Sequence, residues 1–343
     1  MLFNLTSLSD EPMHSQIARQ LLEKILADDD YDGSELPAVR TLACEQHVNI
    51  HTIEKAYQSL VRDGLIISRD EKHFYVPTFT PQQKRVFRQR LTNNHSGLDI
   101  REIERELHTA CQIQASLLPK SLPQNGRYLL AAHYQSAKTI SGDFYDYLPI
   151  DENRFGLVIG DACGKGLPAA MLISQIQAMI KSEANNGKPI EMILQNLNKQ
   201  MVSFTPKNKF VTLFYGIFNK PTREFIFATA GHSYPILIHA DGNCKYLRAG
   251  GPGLGIIENS VYETGNLQLN DGDILFLYTD GITEAMTPTG EEYGEQRLLK
   301  ALVQNRKKEP QKLIEAVLEN VDAFNNTGSL QDDRTVLVMK IMK

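Results

Sequence analysis

The sequence predicts an α+β protein in two parts. Three observations carry this. Residues 11 to about 78 hold three helix-spaced apolar segments followed by two short strand-like runs. Beyond them, compact apolar runs such as Phe155 to Ile159, Ile274 to Leu277 and Val336 to Met339 read as buried strands, with helix-spaced segments before and after. The length, 343 residues, suits two domains better than one.

In the first block, Ile17, Leu21, Leu22, Ile25 and Leu26 recur at helical spacing, and Asp28-Asp29-Asp30 and Gly33 end that helix. Pro37 marks the next helix start, with Val39, Leu42 and Ala43 on one face. Val48-Asn49 is a tight turn into a helix carrying Ile53, Ala56, Tyr57 and Leu60, which ends at Gly64. Strand-like runs follow at Leu65 to Ser68 and His73 to Val76. Three helices and a two-stranded wing make a winged helix-turn-helix.

The composition is that of an ordinary globular chain: 42% hydrophobic, 22% charged, net charge −5. It excludes a disordered polymer. Cys44, Cys111, Cys163 and Cys244 are scattered without zinc-type or disulfide spacing and read as reduced thiols. Met1 to Asp10 lacks a basic leader, and no apolar run nears the roughly 20 residues of a membrane span. The expectation is a cytoplasmic protein that does not engage a membrane.

Between the two parts, Pro81 to Leu118 reads as a helical linker. Lys84 to Arg90 is a basic helix face, and Asn93 to Gly97 is a break. Ile100, Ile103, Leu107, Ala110, Gln114 and Leu117 then recur every three or four residues, a short heptad seam. That seam either packs on the chain's own second part or pairs two copies into a homodimer. The expected domains are 1–78, 79–118 and 119–343.

Four acidic signatures carry the chemistry. They are S-G-D-F-Y-D at Ser141 to Asp146, G-D-A-C-G-K-G at Gly160 to Gly166, Y-T-D-G-I-T-E-A at Tyr278 to Ala285 and Q-D-D-R-T at Gln331 to Thr335. Each sets an Asp at the end of an apolar run, beside a turn-former. Several carboxylates sharing one cleft need hard cations, and all-oxygen ligation suits magnesium or manganese rather than zinc. An isolated Asp of this kind is usually a turn or cap residue. Four such motifs together point to a shared site.

These motifs resemble the PPM family of metal-dependent serine/threonine phosphatases, in its bacterial SpoIIE/RsbU-type branch. Weaker matches occur in the family's order: I-Q-A-S-L-L-P at Ile113 to Pro119, A-G-H at Ala230 to His232 and G-G-P-G-L-G at Gly250 to Gly255. The resemblance covers roughly Ile103 to the C-terminus. It implies an αββα sandwich of two antiparallel sheets flanked by helices. It also implies that Asp143, Asp161, Asp280 and Asp332 hold two Mn2+ or Mg2+ ions. Asp161 would bridge them, with the Ala162 carbonyl completing one shell. Asp333 would support that shell or supply a third-metal position. Lys138, five residues before Asp143, stands where a phosphate-binding basic residue often occurs. Cys163 is read as a packing residue, since G-K-G is not the Arg-ended phosphate cradle of a Cys-dependent phosphatase. His232 is read as a buried structural histidine. The helices after Gly166, Leu167 to Glu183 and about Pro189 to Val202, are equivalent in this branch to elements that shift to make or break the metal site.

The first block resembles the GntR family, in its short YtrA-like branch. The matches are L-P-A-V-R-T-L-A at Leu36 to Ala43, V-N-I-H-T-I-E-K-A-Y at Val48 to Tyr57 and L-V-R-D-G-L-I at Leu60 to Ile66. Arg40, His51, Thr52 and Lys55 would then face DNA. Two departures count against that. Asp70 and Glu71 stand at the wing tip where glycine and positive charge are expected. Met1 to Thr78 also holds thirteen acidic residues against seven basic, a net of −6. The block is either a DNA-binding module or a fold kept for dimerisation or docking.

The resemblance thus implies a protein phosphatase acting on phosphoserine or phosphothreonine of a regulatory protein, often a STAS-fold anti-sigma-factor antagonist in this branch, gated by the N-terminal module. The rival is a transcription regulator whose phosphatase-like domain is a sensor.

Overall fold

The computed structural model describes residues 3, 5, 12–27, 31–68, 73–93, 98–184, 187–206, 208–326 and 330–343; of these, residues 88–93 and 98–104 are described in backbone only. The chain divides into two compact units, Met1–Glu104 and Arg105–Lys343.

In the first unit α1 (Met13–Ala27), α2 (Val39–Gln46) and α3 (Ile50–Arg62) share a core of Ile17, Leu21, Leu42, Ile53, Tyr57 and Leu60. His47 takes a left-handed turn after α2, and the Asn49 side chain caps α3 by accepting from the His51 amide at 2.9 Å. The wing is two residues per strand: β1 (Ile67–Ser68) pairs antiparallel with β2 (Phe74–Tyr75). Its tip, with Asp70 and Glu71, lies outside the described residues, as does the Asp28–Asp30 helix stop. Next, α4 (Pro81–Asn93) opens on a capping box. The Thr80 amide donates to Gln83 Oε1 at 2.9 Å, and the Gln83 amide donates back to Thr80 Oγ1 at 3.3 Å. Lys84 pairs with Asp32 at 3.0 Å, and Phe87 meets Phe79 edge to face, so α4 packs on its own unit.

The unit boundary falls within α5 (Leu98–Leu117), and the second unit continues through β3 (Tyr128–Gln135), β4 (Asp143–Pro149), β5 (Arg154–Ala162), α6 (Leu167–Ala184) and α7 (Ile190–Phe204). It goes on with β6 (Val211–Asn219), β7 (Glu224–Ala230), β8 (Ile236–Ile238), β9 (Cys244–Tyr246), β10 (Gly250–Gly251), β11 (Gly265–Gln268) and β12 (Ile274–Tyr278). The last elements are α8 (Gly294–Asn305), α9 (Pro310–Asn325) and β13 (Arg334–Ile341).

One sheet runs β10-β7-β6-β5-β4, with β11 also on β7; the other runs β3-β13-β12-β8-β9. All pairings are antiparallel except the two-residue β10 on β7. The layering follows from period-two alternation. Phe155, Leu157 and Ile159 of β5 point into the core between the sheets, where Leu275, Leu277, Leu337 and Met339 meet them. Val158 and Ala162 point the other way, onto Ile173 and Ile176 of α6 and Leu194 and Leu197 of α7. On the second sheet, Ile274, Phe276, Val336 and Val338 turn outward onto α8 and α9. The result is helix, sheet, sheet, helix.

The heptad seam divides between regimes. The side chains of Ile100 and Ile103 lie outside the description. Gln114 is buried at 6% exposure on the second unit's own surface, and Leu107, Ala110 and Leu117 are half-buried.

Candidate active site

The acidic motifs meet at one end of the sandwich, where strands of both sheets terminate. Asp143 opens β4 and pairs in register with Asp161 near the end of β5. Thr279 and Asp280 follow β12, and Asp332 and Asp333 precede β13. Since β12 and β13 are neighbours, their two loops arrive together. Gly281 permits this: a Cβ there would lie 2.0 Å from the Asp333 carbonyl oxygen.

Asp143 is the most deeply set ligand candidate, at 2% exposure. Its Oδ2 accepts from Thr279 Oγ1 and Thr335 Oγ1, both at 2.7 Å. Burial pushes this carboxyl up; the two hydroxyls pull it back, and Asp333 and Asp280 push it further up. Asp161 is pushed far above the usual carboxylate range, first by burial and then by Asp143, Asp280 and Asp332. Asp280 is raised by burial and by Asp332. Asp143, Asp161 and Asp280 are thus each raised by a neighbouring carboxylate.

Asp333 does different work. Its Oδ1 accepts from the Ala137 amide at 2.7 Å; its Oδ2 accepts from Ser141 Oγ at 2.8 Å and the Gly142 amide at 2.6 Å. Both oxygens are committed to the β3–β4 loop. Ser141 Oγ in turn accepts from the Asp143 amide at 3.0 Å. Lys138 is exposed on that loop. Cys163 turns its Sγ toward the Asn208 carbonyl at 3.9 Å. Asp332 Oδ2 meets the Lys165 ammonium at 2.7 Å, and that ammonium also donates to the Gln331 carbonyl at 2.7 Å.

The donor set fits Mg2+ or Mn2+: it is all oxygen, strongly self-repelling and free of soft ligands. Among the described residues no three His, Cys, Asp or Glu side chains are drawn into a ready-made cage.

Several contributors were not read from the sequence: Thr279, Thr335, Ser141, Lys165 and Gln114. Gln114 Nε2 donates to the Ser141 carbonyl at 2.7 Å, and the Ser141 amide donates to Gln114 Oε1 at 3.0 Å. The end of α5 is pinned as well. Gln177 and Lys181 of α6 donate to the Leu117 carbonyl at 2.9 and 3.0 Å, and both reach buried Asp146, at 3.1 and 2.8 Å.

In the first unit a groove of about 1180 Å3 lies between the starts of α2 and α3 and the wing. Arg40, His51, Glu54, Gln58 and His73 line it. His51 Nδ1 is 2.8 Å from Glu54 Oε2. Thr52 is half-buried and Lys55 exposed on α3.

Two stacked antiparallel sheets between helix pairs, with carboxylates converging at one end, define the PP2C-type phosphatase fold. The chain belongs to the SpoIIE family: residues 151–342 match the model for Stage II sporulation protein E. Residues 13–76 match that for bacterial regulatory proteins of the gntR family. Phosphoserine phosphatase RsbU of Bacillus subtilis is 31% identical over 242 residues, covering 70% of this chain and 71% of that protein. Protein IcfG of Synechocystis is 29% identical over 227 residues, covering 58% of this chain and 36% of that protein. The SiaA-PP2C domain of Pseudomonas aeruginosa superposes with a TM-score of 0.61 at 20% identity, covering 71% of this chain and 98% of that domain.

Proposed function

We propose that this protein is a metal-dependent serine/threonine phosphatase that hydrolyses phosphoserine or phosphothreonine on a regulatory protein, under control of its N-terminal module. The observation that carries the reading is that the four acidic motifs meet at one end of the sandwich, with Asp143 opposite Asp161 in register and Asp280 and Asp332 on the adjoining ends of β12 and β13. The name of its relative RsbU, a phosphoserine phosphatase, supports it.

Asp143, Asp161, Asp280 and Asp332 would hold two Mn2+ or Mg2+ ions, with the Ala162 carbonyl as a further donor. Such ions supply an activated water for in-line attack and neutralise charge developing on the phosphoryl group. Thr279 and Thr335 hold the Asp143 carboxylate in one orientation. Asp333 fixes the loop before β4, which favours a supporting role over a third-metal position. Lys138 is carried on the same loop and would meet a phosphate oxygen. Cys163 is turned to a backbone carbonyl and takes no chemical role.

The partner is a phosphorylated regulatory protein, of the STAS-fold anti-sigma-antagonist kind that the family resemblance implies. A homodimer through the α5 stripe and a cytoplasmic location complete the proposal. No helix among the described residues is long and apolar enough to cross a membrane.

A second reading rests on the groove of the first unit, where Arg40, His51, Thr52 and Lys55 would meet DNA. Glu54 lies in that groove and already engages His51. The acidic balance of the block also weighs against tight phosphate binding. We therefore take the module as regulatory first.

The test is a Mn2+-dependent assay on p-nitrophenyl phosphate beside a DNA-binding screen. Activity should vanish with EDTA. Asp161→Asn and Asp280→Asn should each cost at least about 100-fold. Full turnover in metal-free buffer would sink the assignment.

A further inference from the structure

We propose that His232 is a positioning residue for the metal centre, acting through Thr212 on the peptide of Asp161. The inference rests on the metal reading above and goes beyond it. No acidic motif contains His232.

The backbone drives this side chain inward. After β7 ends at Ala230, Gly231 adopts φ +68, and a Cβ there would lie 2.6 Å from the Gly253 amide nitrogen. The turn is locked by Thr229, whose Oγ1 accepts from the His232 amide at 3.0 Å and donates to the His232 carbonyl at 3.2 Å. The imidazole is left 5% exposed.

What the ring touches sets it apart. Its Nδ1 is 2.9 Å from Thr212 Oγ1. Thr212 sits on β6 directly opposite Asp161 of β5, and its Oγ1 is 3.3 Å from the Asp161 carbonyl oxygen. The same hydroxyl therefore links the ring to the backbone of the carboxylate that faces all the others. On another side lies the carbonyl of Tyr278, two residues before Asp280 and in the opposite sheet. The ring thus stands between the strand ends that deliver two ligands.

A packing role alone does not explain the residue type. The Nε2 atom is buried with no hydrogen bond of ordinary length among the described residues, although the Tyr278 carbonyl acts on the ring. Burying an unmatched polar nitrogen costs free energy that an aliphatic side chain of similar size would not. The imidazole offers a rigid ring with a polar atom at the reach of Thr212. Groups that orient a ligand in this way typically govern metal affinity by ten- to a hundred-fold.

The experiment is a calorimetric Mn2+ titration of the full chain and three variants, with circular dichroism and thermal unfolding to confirm folding. His232→Leu and Thr212→Val should each weaken Mn2+ binding ten- to a hundred-fold. The double variant should be no weaker than the worse single one, because both changes break one chain of contacts. His232→Asn, whose amide can still meet the Thr212 hydroxyl, should restore most of the affinity. If His232→Leu does not fold, Thr212→Val carries the decision. A folded Thr212→Val with parental affinity overturns the inference and leaves the metal reading standing. A parent protein that binds no Mn2+ overturns both.

Discussion

The hydroxyl of Thr335 donates to Oδ2 of Asp143 at 2.7 Å, and this bond crosses from one sheet of the sandwich to the other. Thr279 makes the matching bond from the neighbouring strand end. A buried carboxylate is tolerable only with such donors. Thr335→Val keeps the shape and removes one of them. Unfolding in urea should show a loss of about 1–3 kcal/mol. Mn2+ affinity should fall about ten-fold or more. Thr335→Ser should restore both; if Val behaves as the parent in both measurements, the inter-sheet bond does not orient the ligand.

Cys163 tests the metal-water chemistry from the opposite side. Its thiol faces the Asn208 carbonyl rather than the carboxylates. Cys163→Ser should retain most of the p-nitrophenyl phosphate turnover. Complete loss, with a phosphocysteine trapped and seen by mass spectrometry, would replace the proposed chemistry by a covalent one.

His232 makes a prediction about pH and stability. Burial lowers its pKa to about 4 from the usual 6.5, while the Tyr278 carbonyl pulls weakly upward. The folded state therefore binds its proton later than the unfolded chain. The stability from a neutral His232 is complete above about 6.5 and is lost as pH falls toward 4. His232→Asn cannot titrate, so its thermal midpoint should change less than the parent's between those two pH values. Identical profiles would mean that the fold leaves the His232 pKa where it is in the unfolded chain.

Gln114 ties the linker helix to the site. Replacing it by Leu leaves the Ser141 amide and carbonyl without the partners they now have. Each unmatched group costs about 1–3 kcal/mol. Gln114→Leu should lower the thermal midpoint and slow turnover, although no ligand is changed. Parental values in thermal unfolding and in the Mn2+-dependent assay would show that the end of α5 does not support Asp143.

The acidic residues were legible because each stood at the end of an apolar run, where a strand stops and a carboxylate can face a cleft. What remained hidden was which partner each would meet. Thr279 and Thr335 lie within three residues of the aspartates in their motifs, yet the carboxylate they bind is 136 and 192 residues away. A threonine hydroxyl within three residues of an aspartate in two separate motifs was the available signal. Gln114 had one too: it is a polar residue on an otherwise apolar stripe, and it marks where that stripe meets a buried backbone. Nothing in the spacing of Lys165 announced its pairing with Asp332. Helices α6 and α7 were legible to within about two residues and α8 and α9 were not delimited, whereas the wing strands are shorter than their apolar runs, because only two residues on each side find ladder partners.

The place of β13 in its sheet bears on how the molecule is made. It follows every other strand in chain order, yet it lies between β3 and β12 rather than at an edge. Its approach brings Asp332 and Asp333, and its second residue is Thr335. A nascent chain can complete the β4–β5–β6–β7 sheet and its helices while β3 and β12 still wait for the strand that separates them. Asp332 and Asp333 can therefore reach Asp143 and Asp161 only when β13 is seated between β3 and β12, which ties the acidic cluster to completion of this sheet.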